Sequence, residues 1–376
     1  MKMRAWMTLT AACLLGACGQ STDQYDTTSI IGPGGTASPS PRTSPNLSPT
    51  ASPSPSPSPA SSPLASPSPA ATARFVTNDT AVQDYRCGFS PDGSQIVFER
   101  TPIPTNPNDP NYRLMLVNTT GGAVQPLLPG NFTQQSTRPN WTPATNRIAF
   151  TAQSNSTGTV WTCNPDGSGL LNIAPSEFRR VVDYPYFFPD GLTLAVVDYG
   201  NGHGLSDDTG IIRRVSTQSP FNVTNLSSLT QIKAGMPSVS PNGRYVAVAA
   251  QSQVNLPYNQ DTNQIFVIDL QAPAGTPPVL FDAGQGRAPS WSPNGQTITF
   301  ESNRATLNEP APPPTASPTN APFAIYSKPF PTGVPTQITD KSLNANHCVW
   351  SRDGRLLVMS AVLPGNSRGI YVMPAP

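Results

Sequence analysis

The sequence is poor in charge and in histidine. Lysine, arginine, aspartate and glutamate make up 11% of the 376 residues, the formal net charge is +1, and there are two histidines. Such a balanced charge creates no overall field that would attract nucleic acid or an anionic membrane surface. Two isolated histidines do not form the ligand cluster of a histidine-based metal site, and the Gly-x-Ser-x-Gly turn of many serine hydrolases is absent. We therefore predict no nucleic-acid partner, no metal and no cofactor.

The cysteines are few and separated. None of the five forms a Cys-x-x-Cys pair, so the spacing of zinc and thioredoxin-like sites is missing. One polar loop, residues 200–210, contains His203, Asp207 and Asp208, whose side chains could bind a calcium ion. It lacks the alternating oxygen ligands of a known calcium loop, and we interpret it as a solvated loop between strands. The five cysteines are Cys13, Cys18, Cys87, Cys163 and Cys348.

The apolar run at the N-terminus is too short to cross a bilayer. It covers residues 7–15 and follows Lys2 and Arg4, which is the arrangement of an export signal. The segment ends in Leu15-Gly16-Ala17-Cys18, which resembles the lipobox of bacterial lipoproteins. The resemblance implies cleavage before Cys18 and attachment of diacylglycerol to its thiol; an ordinary secretory signal is the alternative. We predict a lipoprotein signal peptide at residues 1–18. The protein would then be anchored by lipid in the cell envelope, at the outer membrane facing the periplasm or at the cell surface.

Residues 19–73 are predicted to form a disordered tether rich in proline, serine and threonine. From residue 36 onward, proline occurs at nearly every second or third position. Such a composition cannot bury enough apolar area to offset the entropy of ordering, and it favours extended polyproline II conformations. A ligand for an SH3-type domain is the alternative, but an exported location argues against it. We interpret the segment as a stalk.

A motif of about ten residues recurs six times in the rest of the chain. Each copy has an aromatic or apolar residue, usually followed by Pro-Asp-Gly or Pro-Asn-Gly, and then an alternating apolar run. Proline suits the first corner of a turn, and Asp-Gly or Asn-Gly suits a tight hairpin, so each copy predicts two strands joined by a turn. The copies are FSPDGSQIVF (89–98), WTPATNRIAF (141–150), FFPDGLTLAV (187–196), VSPNGRYVAV (239–248), WSPNGQTITF (291–300) and WSRDGRLLVM (350–359).

The spacing of the copies predicts a β-propeller over residues 74–376. An interval of about 50 residues leaves room for four short strands, which is one propeller blade. An apolar run after each motif predicts a third strand, as in RLMLVN at residues 113–118. The last copy has no fourth strand after it, and the apolar segment at residues 75–77 is the candidate to replace it. We therefore predict an all-β fold of six blades, closed by an N-terminal strand in the last blade.

The repeats resemble the propeller of the TolB family. The matching features are the Trp-Ser-Pro-Asn-Gly type of turn and the short strand that reads Ile-Tyr-Val-Met at residues 370–373. The resemblance covers about residues 74–376. It implies a six-bladed propeller in a periplasmic or envelope protein that serves as a platform for protein interactions. TolB also has an N-terminal α/β domain. In place of that domain, we expect this chain to have the lipid anchor and the stalk. Oligopeptidase-type enzymes share the repeat, but beside a hydrolase domain that we do not expect in this chain.

One register position of the motif suggests a disulfide. Two residues before each motif aromatic, the four middle copies have proline, whereas the first and last copies have Cys87 and Cys348. Closure of the ring would make these two copies neighbours, and an exported location is oxidising. We predict a Cys87–Cys348 disulfide, with two separate buried thiols as the alternative, and we interpret Cys163 as a small core residue.

The preceding register position predicts a binding site at the mouth of the central channel. Basic and aromatic side chains gather there and could bind a peptide tail or an acidic small ligand, while a hydrated rim without a ligand is the alternative. We predict a monomeric, non-catalytic scaffold that binds an envelope protein or peptide. The alternative function is a lyase or hydrolase with a site at the channel mouth, using His347 as base and two arginines as anion clamps. The candidate binding residues are Arg86, Arg138, Tyr184 and His347 at this position, and Arg287, which stands one residue before it in the fifth copy.

The turn and aromatic positions that recur in the copies of the motif are predicted to have structural roles. The aspartate or asparagine before each motif glycine, such as Asp92 and Asn242, is predicted to cap its own turn rather than to act in acid–base chemistry. The motif aromatics, such as Trp291, are predicted to pack between blades rather than to form a carbohydrate platform.

Overall fold

The computed structural model describes residues 72–103, 111–154, 157–178, 181–199, 210–228, 230–256, 259–317 and 320–376. The predicted signal peptide with Cys18, the tether up to residue 71 and loop residues 200–209 with His203 lie outside the described residues. Across the described ranges, no helix is long and apolar enough to cross a membrane.

The described chain is all-β and arranged as a propeller, which confirms the predicted fold class. Its helical elements, in the ranges above, are two single 3-10 turns, Gln260–Thr262 and Lys341–Leu343. In chain order the strands are β1 (Arg74–Phe75), β2 (Val82–Phe89), β3 (Gln95–Pro102), β4 (Arg113–Asn118), β5 (Gln125–Pro126), β6 (Gln135–Trp141), β7 (Ile148–Ser154), β8 (Thr157–Cys163), β9 (Leu171–Ile173), β10 (Val182–Phe187), β11 (Thr193–Asp198), β12 (Ile211–Ser216), β13 (Val223–Asn225), β14 (Lys233–Val239), β15 (Tyr245–Gln251), β16 (Gln264–Asp269), β17 (Val279–Asp282), β18 (Arg287–Trp291), β19 (Thr297–Ser302), β20 (Ala324–Pro329), β21 (Thr336–Gln337), β22 (Asn346–Trp350), β23 (Leu356–Val362) and β24 (Arg368–Pro374).

The number of separate blades differs from the prediction of six. Four blades are separate antiparallel sheets of four strands, β6–β9, β10–β13, β14–β17 and β18–β21. The remaining strands form one eight-stranded sheet in the order β22-β23-β24-β2-β3-β4-β5, with β1 also paired to β24. The two halves of this sheet are joined by a parallel bridge between Gln83 and Arg368. The reason is that β1 has two residues and covers part of the β24 edge, which leaves the edge near Arg368 free to pair with β2.

The N-terminal strand pairs with the last strand of the chain, as predicted. Arg74 and Phe75 of β1 lie opposite Val372 and Tyr371 of β24 in antiparallel register, and the two rings pack edge to face with centroids 5.0 Å apart. Just after β1, buried Thr77 accepts a hydrogen bond from the Ile370 amide at 2.8 Å. Its hydroxyl donates to Asp84 of β2 at 2.6 Å. The start of the domain is therefore bonded to both halves of the eight-stranded sheet.

The motif turns have the structural role that the sequence predicted. In the first copy, the Asp92 carboxylate accepts hydrogen bonds from the Ser90 hydroxyl and the Ser94 amide, and Gly93 has a φ of 73°. In the copies that contain the motif glycine, this glycine takes the left-handed conformation, and the aspartate or asparagine before it caps the turn with its side chain. In the degraded second copy, Asn146 supplies the left-handed residue, with a φ of 50°.

The motif aromatics pack between neighbouring repeats, as predicted. Trp291 of β18 is buried, and its indole N–H donates to the Ser238 carbonyl of the preceding blade at 3.1 Å. Trp350 of β22 donates likewise to Thr299 of β19 at 3.1 Å. Apolar side chains of the second and third strands fill the space around these rings, so that the inner strands are held side by side around the channel.

Candidate functional site

Each of the six inner strands, β2, β6, β10, β14, β18 and β22, contains a bulge. The pairing with the next strand shifts register there, as between Tyr85 and Cys87 in β2. The bulged residue has a positive φ of 30° to 55°, a conformation that residues other than glycine rarely adopt. Strained bulges of this kind are typical of functional sites, where they turn a side chain away from the regular sheet. The bulged residues, here called the bulge ring, are Arg86, Arg138, Tyr184, Met236, Ala288 and His347.

The bulge ring lines one cavity between the six inner strands, here called the mouth cavity. All six members contribute to its wall, together with the residue that follows each of them. The cavity has about 660 Å³ of empty space, part of it open to solvent. Four of the five candidate binding residues are thus brought together, namely Arg86, Arg138, Tyr184 and His347.

The wall of the mouth cavity is chemically asymmetric. The inner strands β2, β6, β10 and β22 contribute two guanidinium groups, a phenol and an imidazole. The intervening strands β14 and β18 contribute Met236, Pro237, Ala288 and Pro289, which have apolar side chains. A ligand in the cavity would therefore meet polar groups on one side and an apolar surface on the other.

Three buried carboxylates support the bulge ring from behind. Glu99 accepts hydrogen bonds from the Arg86 guanidinium at 2.9 Å and from the backbone amide of Arg138 at 2.5 Å. Asp183 accepts the Tyr184 amide at 2.8 Å and lies 3.1 Å from the Arg138 guanidinium. These carboxylates satisfy backbone N–H groups that the bulges remove from the sheet ladder, and unsatisfied buried groups of this kind would be costly.

The charges of Arg86 and Arg138 are maintained by these carboxylates. Burial by itself would lower the pKa of either guanidinium, but Glu99 beside Arg86 and Asp183 beside Arg138 raise both pKa values above the ordinary one. The Arg138 guanidinium also lies over the Tyr184 ring, 4.3 Å from its centroid. The two cations are therefore permanent and fixed in direction.

His347 is neutral in this site. Burial and the neighbouring arginines lower the pKa of its imidazole to about 3, although Glu301 acts in the opposite direction. Its backbone amide donates to Glu301 at 2.7 Å, and its Nδ1 lies 3.7 Å from the same carboxylate. Burial would raise the pKa of Glu301, but His347, Arg287 and the hydrogen bonds that they donate lower it to about 2.

The fifth candidate residue, Arg287, lies outside the wall of the mouth cavity. It precedes the bulged residue of β18, and its guanidinium pairs with Glu301 at 2.9 Å and with Asp261 at 3.2 Å. The same group lies 4.2 Å from the centroid of the Phe323 ring. These contacts give the Arg287 side chain a role in supporting Glu301, while its role in ligand binding stays a prediction.

The predicted Cys87–Cys348 disulfide is not formed in the structure. Both cysteines follow bulged residues and line the mouth cavity from neighbouring inner strands, but both are buried free thiols. Burial raises the pKa of Cys87 well above its ordinary value and the pKa of Cys348 to about 12. Because thiol–disulfide exchange proceeds through the thiolate, these raised pKa values slow exchange at both thiols. Cys163 is a free, fully buried core thiol, as predicted.

The supporting carboxylates were not identified from the sequence. Glu99 and Glu301 occupy the same position in two repeats, directly after the phenylalanine of the second strand. A single acidic residue inside an otherwise apolar, buried strand is the signal that could have revealed them, because such a charge requires a partner. Within the described ranges, no three or more histidine, cysteine, aspartate or glutamate side chains are grouped so that they could hold a metal ion.

A second cavity lies at the turn end of the inner strands. It has about 1280 Å³ of empty space and is lined by motif prolines, such as Pro91 and Pro241, and by motif aromatics. Its lining carries one charged residue, Arg352. Charged and polar groups are concentrated at the mouth cavity instead. The end of the channel that holds the mouth cavity is therefore the stronger candidate for ligand recognition.

Comparison with known proteins shows the fold. The structure is similar to that of a putative TolB from Agrobacterium tumefaciens, with a TM-score of 0.53 and 15% identity, over 78% of this chain and 90% of that chain. It is equally similar to a gluconolactonase from Xanthomonas campestris, with a TM-score of 0.53 and 12% identity, over 81% of this chain and 90% of that one. No family model and no curated protein sequence matches the chain. The protein is thus a β-propeller with the fold of TolB and of this gluconolactonase, at identities that show the fold alone.

Proposed function

We propose that the protein is a lipid-anchored, non-catalytic propeller of the cell envelope that binds a protein or peptide at the mouth cavity. The observation that carries the proposal is the bulge ring. Six inner strands each place a strained residue on the wall of one cavity, and fixed cations, an imidazole and an apolar surface meet there. The resemblance of the repeats to TolB-family platforms supports the same function.

The alternative is an enzyme, in keeping with the similarity of the fold to a gluconolactonase. Such an enzyme would use His347 as general base between Arg86 and Arg138. A general base works best when its pKa is near the working pH, and burial lowers the pKa of His347 to about 3. An imidazole of this kind takes up a proton poorly at neutral pH, which favours binding over catalysis.

A steric block tests the binding site without breaking its ion pairs. Met236→Trp places an indole in the apolar wall, whereas Val279→Trp places one on β17, the outer strand of the same blade, where Val279 is 64% exposed. We expect envelope partners to be captured by the wild type and by Val279→Trp, and to be lost with Met236→Trp. Equal capture by all three proteins would show that the mouth cavity is not the site.

The anchor is tested separately at Cys18. We expect the wild type to enter the detergent phase on Triton X-114 partition and Cys18→Ala to remain in the aqueous phase, because two or more acyl chains give stable membrane attachment. If both proteins partition alike, the proposed lipid anchor is wrong while the binding proposal is unaffected.

A further inference from the structure

The hydrogen bonds of the mouth cavity indicate the chemical class of the ligand, on the assumption that the proposed binding function is correct. The acceptors are already occupied. Glu99 and Asp183 bind Arg86, Arg138 and two backbone amides, and Glu301 binds Arg287 and the His347 amide. The carboxylates behind the ring thus have little remaining capacity to accept a hydrogen bond from a ligand.

Several side-chain nitrogen atoms of the bulge ring, in contrast, have no hydrogen-bond partner in the described part of the chain. The Nε atoms of Arg86 and Arg138 and both imidazole nitrogens of His347 are buried and have no hydrogen-bond partner within the described part of the chain. The three side chains retain 24%, 15% and 17% of their surface exposed, and all three line the mouth cavity. Buried polar nitrogens usually have partners, so this group is suited to a ligand that brings oxygen acceptors.

The apolar wall adds a second requirement. Met236, Pro237, Ala288 and Pro289 line the same cavity from two adjacent inner strands. They offer no side-chain hydrogen bond, and they would stabilise an aliphatic or aromatic group by burial. The volume that water-sized groups can occupy is about 110 Å³, below the range of pockets for drug-sized ligands, so the cavity suits one small terminal group.

We propose that the mouth cavity binds the carboxy-terminal end of a peptide whose last residue is apolar. The terminal carboxylate contacts the Arg86 and Arg138 guanidinium groups, and the apolar side chain packs against Met236 and Ala288. The neutral imidazole of His347 can donate through one nitrogen and accept through the other, which suits the last peptide group of the ligand. A planar carboxylate between two guanidinium groups forms charge-assisted hydrogen bonds, which are the strong ones in proteins.

The test uses two short peptides that differ in the terminal group. Gly-Ser-Gly-Ser-Leu is prepared as the free acid and as the amide, and binding to the full-length protein is measured by saturation-transfer NMR. We expect the free acid to bind at least about tenfold more tightly than the amide. The same peptide ending in serine, as the free acid, should also bind more weakly because it lacks the apolar side chain. Acetate serves as the small-acid probe. At the concentration at which the peptide saturates the protein, an equal concentration of acetate should not displace it.

Two variants separate the possible outcomes. Arg138→Gln should bring the free acid down to the affinity of the amide, and Met236→Trp should abolish binding of both without disturbing an ion pair. Equal binding of acid and amide, both lost with Met236→Trp, would overturn the carboxylate inference and leave the proposed function intact. Competition by acetate would assign the cavity to small acids instead. If neither peptide binds, the inference is wrong, and capture of envelope partners decides the proposed function independently.

Discussion

At the scale of single residues, buried carboxylates hold the site together. Glu99 is completely buried, and it joins the Arg86 side chain to the backbone of Arg138 in the next inner strand. Removal of one partner from a buried pair leaves an uncompensated charge, which costs far more than an exposed pair contributes. The same reasoning applies to Asp183 and Glu301, so the ring depends on three residues behind it.

The first prediction concerns Glu99. Glu99→Ala should lower the free energy of unfolding by about 3–5 kcal/mol, because the Arg86 guanidinium and the Arg138 amide lose their partner. Urea denaturation measures the change. Exposed Glu177→Gln is the matched control and should shift stability by less than about 0.5 kcal/mol. A small effect of Glu99→Ala would mean that water or another acceptor replaces the carboxylate.

The second prediction concerns the dependence of stability on pH. The pKa of His347 is about 3 in the folded protein, against an ordinary value of 6.5. Between these values the unfolded chain binds the proton and the folded protein does not, so stability falls as pH decreases from 6.5 toward 3. The slope is at most about 1.4 kcal/mol per pH unit from this group.

Comparison with His347→Gln isolates that slope. Glu301 has a pKa of about 2, against 4.5 ordinarily, so its own loss of stability is confined to pH values below about 4.5. Urea denaturation between pH 6.5 and 4.5 should therefore show a steeper loss for the wild type than for His347→Gln. Parallel curves would indicate that His347 is protonated in the folded protein.

At the scale of elements, the bulge is the unit that makes the site. The register position of the ring could be predicted from the repeats, because it stands at a constant distance before each motif turn. The left-handed conformation at this position could not be predicted from the sequence. Arginine, tyrosine, methionine, alanine and histidine do not favour it, and no glycine marks the position. Tertiary contacts impose it, with buried carboxylates accepting the amides of Arg138, Tyr184 and His347.

The third prediction tests the strain at a bulge. Ala288 has a φ of 45°, so Ala288→Gly should be neutral or stabilise the protein by up to about 1 kcal/mol, whereas Ala288→Val should destabilise it by about 1–2 kcal/mol. The control is Ala249→Gly in the regular strand β15, which should be destabilising. Equal losses for the two Ala288 variants would contradict a strained bulge.

At the scale of the whole molecule, the ring is closed by a very short strand. The repeats and their period predicted the propeller and the N-terminal closing strand. The joining of the first and last copies into one sheet was not predictable, because it depends on the edge of β24 that the two residues of β1 leave uncovered. Thr77 reinforces this junction through its contacts with Ile370 and Asp84.

The fourth prediction tests this closure. Thr77→Val keeps the shape of the side chain but removes both hydrogen bonds, which leaves the Ile370 amide without its side-chain acceptor. We expect a loss of about 1–3 kcal/mol in the free energy of unfolding, measured by urea denaturation. Thr80→Val at an exposed position nearby should change stability by less than about 0.5 kcal/mol. Similar changes in the free energy of unfolding for the two variants would show that Thr77 does not stabilise the closure.

We propose the mouth cavity as the surface on which the protein binds its partner. Photo-crosslinking in intact cells tests it most directly, with a photoreactive benzoylphenylalanine in place of Met236 and, as the control, in place of Val279 on the outer strand of the same blade. We expect a discrete crosslinked partner from position 236 and none from position 279. A partner crosslinked from position 279 but not from position 236 would contradict it.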